Sequence, residues 1–220
     1  MRTRGPLLTM AAVGVLAAVV FIVSLARTPA PDEAANIAGA APPPPTASPP
    51  PPTTPPPAPT RKSVYVGHSS DNEVTVAVAV DGEEAAAYIC DGEEVEAWLD
   101  GTVAEDRIEL QGRNGTQLTA TLSDTAALGV LTLADQELPF SAAVAGPPAG
   151  IYEGKATVDG EPNRIGWIVL PSGRQVGINN AGGNRQPAPA LDPNDLDGLA
   201  IEGVQVEVER IDGGEPVVPR

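Results

Sequence analysis

An all-β domain is the fold predicted for residues 63–220, and three observations predict it. The hydrophobic period is two: Val74, Val76, Val78 and Val80 alternate with Thr75, Ala77 and Ala79. Turn dipeptides punctuate the chain at Asp81-Gly82, Asp91-Gly92, Asp100-Gly101, Asn114-Gly115 and Asp159-Gly160. The repeat of strand plus turn is short, about ten residues, which makes successive strands antiparallel neighbours. Strict alternation marks a strand with one face inward and one face wet, and Asp-Gly or Asn-Gly supplies the positive φ of tight hairpins.

Taken in order, strands are expected at 63–67, 73–80, 84–90, 94–100, 106–111, 117–122, 127–133, 136–143, 151–158, 164–170, 174–178 and 203–211. Ile108 and Leu110 alternate with Glu109 and Gln111, and Leu118, Ala120 and Leu122 alternate with Thr119 and Thr121. Val204, Val206 and Val208 alternate with Gln205, Glu207 and Glu209. Such an up-and-down meander hides its apolar face by closing into a barrel-like form or by stacking as a two-sheet sandwich, and the barrel is preferred. Gly146-Pro147-Pro148 interrupts the pattern, which places a sub-boundary at 146–150, between eight early strands and a later extension. Residues 184–199 read as a long loop, with a helical turn opened by Asp192-Pro193.

Ahead of this domain lie three other segments. Residues 1–6 form a basic tip with Arg2 and Arg4, and residues 7–26 contain no charge, with Thr9 and Ser24 their only polar side chains. Twenty helical residues reach about 30 Å, the thickness of a bilayer core, whereas a signal-peptide core runs roughly 7–15 residues. The run therefore reads as one transmembrane helix retained as a signal-anchor. Cleavage after the small-x-small pattern Ser24-Leu25-Ala26 is the alternative, giving a secreted product. The positive-inside bias puts the tip in the cytoplasm and the C-terminal domain outside, in a single pass through the lipid bilayer. The single cysteine, Cys90, is far from the N-terminus, so a lipid-modified cysteine anchor is excluded.

Residues 27–62 are rich in Pro, Ala and Thr, including runs at Pro42–Pro45, Pro49–Pro52 and Pro55–Pro57. Proline fixes φ and removes a backbone donor, so a disordered linker of extended polyproline II character is expected, about 3.1 Å per residue. Thr46, Ser48, Thr53, Thr54 and Thr60 are candidate sites for O-linked sugars.

Charge narrows the partners. Of the 29 acidic residues only Asp32 and Glu33 precede residue 63, and of the 13 basic residues Arg2, Arg4, Arg27, Arg61 and Lys62 do. The domain therefore holds 27 acids against 8 bases, a net charge of −19. Such a field repels phosphate backbones, so nucleic acid is not expected as a partner. Cell-wall material or an envelope protein is.

Candidate chemistry is sparse. Cys90 would need His68, the only histidine, as its base, and Asp91 beside the thiol raises its pKa, the wrong direction for activation; a buried structural cysteine is expected. No Gly-x-Ser-x-Gly elbow presents a serine. Asp192 to Gly198 superficially suggests a calcium loop, but with Gly198 at position six the first and twelfth ligands become Pro193 and Val204, which excludes an EF-hand. Asp81-Gly82-Glu83-Glu84 recurs as Asp91-Gly92-Glu93-Glu94 at successive turns, which lie at opposite ends of a sheet and do not build a joint metal site. No catalytic, cofactor or metal residue is assigned. A carboxylate-dependent hydrolase would draw on Glu93, Glu94, Glu96 or Asp100. Trp98 is the binding candidate: it shares its strand face with Glu96 and Asp100, opposite Val95, Ala97 and Leu99, so an aliphatic core leaves its ring outside.

Tyr65-Val66-Gly67, Val74 to Val80, Tyr88-Ile89-Cys90-Asp91-Gly92 and Glu96-Ala97-Trp98-Leu99 together resemble uncharacterised actinobacterial exported proteins. The resemblance implies single-anchor β domains behind proline-rich linkers, covers residues 63–180, and brings no catalytic or binding residue. The function expected is a membrane-tethered, non-catalytic binding or structural module of the cell envelope, with a small-ligand-binding barrel as the alternative.

Overall fold

The computed structural model describes residues 61–218. The apolar run at 7–26 and the proline-rich segment up to residue 60 lie outside the described residues, and among the described residues no helix is long and apolar enough to cross a membrane. Lys62 already belongs to the first strand, one residue earlier than expected.

Eight antiparallel strands form a closed barrel in sequence order: β1 (Lys62–Ser69), β2 (Thr75–Asp81), β3 (Glu84–Cys90), β4 (Glu96–Ala104), β5 (Arg107–Gly112), β6 (Gln117–Leu122), β7 (Ala126–Leu133) and β8 (Gln136–Ala145). Closure runs through β1 and β8, from Val64 opposite Ala145 to Ser69 opposite Phe140. Eight strands leave an interior just wide enough for side chains to fill or for one small ligand. Here side chains occupy it: Tyr65, Ile89, Leu99, Ile108, Leu118 and Phe140 belong to one buried cluster. The Tyr65 hydroxyl donates to the Ser123 carbonyl oxygen at 2.9 Å, tying β1 to the β6–β7 turn.

A second sheet follows, with β9 (Gly150–Val158), β10 (Glu161–Val169), β11 (Gln175–Ala181), β12 (Asn184–Pro187) and, after the short pair β13 (Ala200–Ile201) and β14 (Val204–Gln205), β15 (Glu207–Ile211). Its strand order is β12-β11-β10-β9-β15. This sheet lies on the outside of the barrel, with β9 and β10 against β2, and β10 and β11 against β3. The seam is apolar: Ala77, Ala79, Ala86 and Tyr88 from the barrel meet Ile151, Ile168 and Ile178 from the sheet. Alanines at the outward positions of β2 and β3 let the second sheet come close. Gly166 does the same from the other side, since a Cβ there would sit 2.2 Å from Tyr88 Cζ. Barrel and sandwich, framed as alternatives by the sequence, are thus combined.

The sheet's outer face is covered by residues 188–206. Leu191 and Val206 pack there on Tyr152, Ile165 and Trp167. The cover is pinned by Trp167 Nε1, which donates to the Pro189 carbonyl at 2.8 Å, and by the Leu191 N–H, which donates to Gln175 Oε1 at 2.9 Å.

Three local expectations need correction. Asp100-Gly101 is not a turn but the middle of β4, where Gly101 permits a close approach: a Cβ would lie 2.2 Å from the Glu109 carbonyl oxygen. The turn falls after Ala104, with Glu105 at φ +56°. Residues 184–199 are not all loop, because Asn184–Pro187 pairs with β11 as an exposed edge strand. The helical turn near Asp192 is a single 3-10 turn at Leu196–Gly198.

Candidate seam groove between barrel and sheet

Each strand of the second sheet changes character along the face it turns to the barrel. On β9 the face runs Ile151, Glu153, Lys155; on β10 it runs Ile168, Gly166, Arg164; on β11 it runs Val176, Ile178, Asn180. The apolar ends seal the seam and the polar ends open into a groove. One lobe, about 700 Å³, is lined by Glu153, Lys155, Asn163, Arg164, Asn180 and Glu207 among others. A second lobe, about 430 Å³, is lined by Glu96, Trp98, Arg113, Asn114, Arg164 and Arg185 among others. Arg164, Asn180 and Val218 line both, so the lobes adjoin.

Two buried carboxylates organise the floor. The Glu96 side chain is 5 % exposed. Its Oε1 accepts from the Tyr88 hydroxyl at 3.2 Å and from Trp98 Nε1 at 3.3 Å, and its Oε2 accepts from Asn180 Nδ2 at 3.3 Å. Arg185 Nε stands 3.7 Å from Oε2, beyond hydrogen-bond length. The Glu153 side chain, 4 % exposed, pairs with Arg164 at 2.5 Å and with Lys155 at 2.9 Å. A buried carboxylate persists only when donors replace its water, and both have them. The Glu153 and Glu209 carboxylates beside Lys155 hold its ammonium pKa above the ordinary value.

Arg164 joins the layers. Its guanidinium lies 4.3 Å from the Trp98 ring centroid, pairs with Glu153, and donates to the Val217 carbonyl oxygen. The C-terminal segment is thereby strapped over the seam, and the Val218 N–H donates to Asp100 Oδ2 at 3.2 Å. Cation–π contact and two nitrogens aimed at separate acceptors suit arginine in this place and not lysine.

Trp98 does face outward from the barrel, as its strand phase requires, but the second sheet covers it to 7 % exposure. Tyr88 lies against the ring at 4.2 Å between centroids, and Arg164 also lies against it. Trp98 lines the smaller lobe without offering an open stacking platform.

The remaining candidates separate. His68 pairs with Thr75, and Thr75 with Cys90, across three adjacent strands. Two strand spacings put the thiol and imidazole about 10 Å apart, beyond the reach of a nucleophile and its base. Thr75 Oγ1 stands between them, 3.3 Å from His68 Nδ1. Burial pushes the Cys90 thiol up to about 12, with Glu96 and Asp91 adding to the effect against an opposing hydrogen bond from Tyr88. Burial also raises Tyr88 well above the usual phenol value. Glu93 and Glu94 are exposed in the β3–β4 turn, where Asp91 Oδ1 accepts three backbone N–H groups, from Glu93, Glu94 and Val95. Glu96 and Asp100 are four residues apart on one strand, about 13 Å, too far for a pair of hydrolytic carboxylates. Asp192 Oδ1 accepts from the Asn194 N–H at 2.9 Å, a local turn. Among the described residues no group of three or more His, Cys, Asp or Glu side chains is placed to hold a metal ion.

Trp98 and Glu96, singled out in the sequence, line the smaller lobe, whereas Glu153, Arg164, Asn180 and Arg185 were not singled out. One signal was available. Glu153 keeps phase with Ile151, and Arg164 with Gly166 and Ile168, so each charge lies on the face that elsewhere carries the core. Comparison of the chain with protein-family models, with curated proteins and with solved structures gave no match.

Proposed function

We propose that this chain is a membrane-tethered extracytoplasmic β domain acting as a non-catalytic binding module of the cell envelope, with the seam groove as its binding surface. The uncharged run at 7–26 supports the tether, the proline-rich segment 27–62 supports a spacer, and a net charge of −19 on residues 63–220 supports a partner other than nucleic acid. The observation that carries the reading is the groove itself. Its buried carboxylates are committed to internal donors, while about 430 Å³ beside Trp98 stays open to a ligand. Side chains fill the barrel interior, which supports the seam over the lumen as the binding surface in this reading.

Protease shaving of intact cells, followed by fractionation and N-terminal sequencing of the retained species, tests the address. The reading expects external protease to remove residues 61–220 while the N-terminal tip stays protected with the membrane. A C-terminal tag that resists external protease and fractionates with the cytosol would overturn it.

A further inference from the structure

Along β1 the face turned to the second sheet runs Val64, Val66, His68, opposite Ala79, Ala77 and Thr75 of β2. Val64 and Val66 are buried in the apolar seam. The third position of that row is half-buried and holds the only histidine of the chain. An imidazole is the one side chain whose ordinary titration falls in mild acid, so a charge can appear at this end of the seam and nowhere else along the row.

The seam ends there in a cavity of about 260 Å³, lined by His68, Glu73, Thr75 and Asp91 from the barrel and by Arg174 and Val176 from the second sheet. The charged groups around the ring are therefore Glu73 of the β1–β2 turn, Asp91 of the β3–β4 turn and Arg174 of the β10–β11 turn; β8 places Ser141 opposite His68 and brings no charge. The partner of the imidazole is an alcohol: Nδ1 stands 3.3 Å from Thr75 Oγ1. Among the described residues no ion pair joins Glu73 or Asp91 to His68 or to Arg174. Asp91 Oδ1 is taken up by three backbone N–H groups of its own turn.

The β10–β11 turn is built to move as a unit. Its hydrogen bonds are internal, from the Leu170 N–H to the Arg174 carbonyl at 2.9 Å and from the Gly173 N–H to the Leu170 carbonyl at 2.8 Å. It meets the barrel rim through Val176, against Gly92, and through the cavity at His68.

We propose that His68 is an acid-sensitive latch on this joint: its protonation drives the β10–β11 turn off the barrel rim, where the ring gains water and parts from Arg174. The device stands apart from whatever the groove binds. Burial, and after it the Arg174 guanidinium, hold the imidazole pKa below its ordinary value of 6.5. The closed joint therefore takes up the proton less readily than the open one. It is at full strength above pH 6.5 and weakens as the pH falls below that value.

Two measurements on the full-length chain in non-ionic detergent test this, taken from neutral solution down to about pH 5. Proton NMR follows the single imidazole. Hydrogen exchange read by mass spectrometry, corrected for the intrinsic pH dependence of exchange, follows residues 170–176. The imidazole titrates below 6.5, and exchange in the turn rises about threefold or more in acid while the barrel strands stay protected. Arg174 is exposed and has no ion pair among the described residues, so Arg174→Gln keeps the fold and raises the imidazole midpoint by about 0.3 units or more. His68→Asn removes the acid-dependent rise in exchange. An imidazole that titrates at or above 6.5, a midpoint unmoved by Arg174→Gln, or an acid-dependent rise that persists in His68→Asn would each overturn the proposal.

Discussion

The two halves of the barrel differ in what lies outside them. In β5 and β6 burial alternates strictly: Ile108, Leu110, Leu118, Ala120 and Leu122 point inward, and Glu109, Gln111, Thr119 and Thr121 face water. In β2 and β3 every residue from Thr75 to Val80 and from Ala85 to Cys90 is buried. The inward rows of the two halves are alike, and the outward rows are not. Alanines at 77, 79 and 86 replace the threonines and charges seen on β5 and β6. A strand whose outward positions are small and apolar is one that a second layer covers, and the groove forms where that layer ends.

The largest effects are expected where the halves are the same. Leu99→Ala and Leu118→Ala remove fully buried side chains from one shared interior, and each should cost about 3–4 kcal/mol by urea denaturation. A cost confined to one of them would divide the barrel into separate cores. Next comes the contrast itself. Ala86→Leu forces bulk into the seam and should cost about 2–3 kcal/mol, while Thr119→Leu on the bare half should stay within about 0.5 kcal/mol. Equal costs would mean the second sheet does not pack on β3.

Arg164→Ala is expected to cost about 2 kcal/mol, because Glu153 keeps Lys155 but loses its shorter partner and Trp98 loses its cover. Intrinsic tryptophan emission should report the uncovered ring; a variant with unchanged emission and stability would remove Arg164 from the joint. The last effect is absent at neutral pH and is confined to alkaline solution. Folded Cys90 holds its proton to about 12, whereas the unfolded thiol releases it near the ordinary value of 9.0. The stabilising difference is complete below pH 9 and is lost as pH rises toward 12. Cys90→Ala should therefore flatten the fall in stability across that window, with Tyr88, Tyr152 and Lys155, which the fold also holds protonated to higher pH, supplying what slope remains. A fall as steep as the parent's would place the alkaline sensitivity elsewhere.

Much of the fold was legible because alternation is a local signal. The strand expected at 84–90 coincides with β3, and that at 117–122 with β6. Asp100-Gly101 misled because a glycine that admits a neighbouring backbone looks the same in sequence as one that turns. β12 was invisible because all four of its residues are exposed, so no apolar phase exists to read. At the site, Trp98 gave away its outward direction through its strand neighbours. Its cover could not be read, since the contact between Glu96 and Asn180 spans 84 positions and depends on how two layers stack. Arg164 and Glu153 carried only their strand phase as a mark, on the face that elsewhere holds Ile151 and Ile168, and that phase does not tell a covered charge from an exposed one until the stacking of the two layers is known.

If the sheet-covered half carries the function, binding must fail from one side of the barrel and not the other. The direct measurement is retention of the full-length chain on envelope material from its own cells, comparing Arg185→Glu at the groove with Arg107→Glu, an exposed residue of β5 on the bare half. The account predicts that Arg185→Glu abolishes retention and that Arg107→Glu leaves it within about twofold of the parent. Equal loss in both variants, or equal retention, would contradict it.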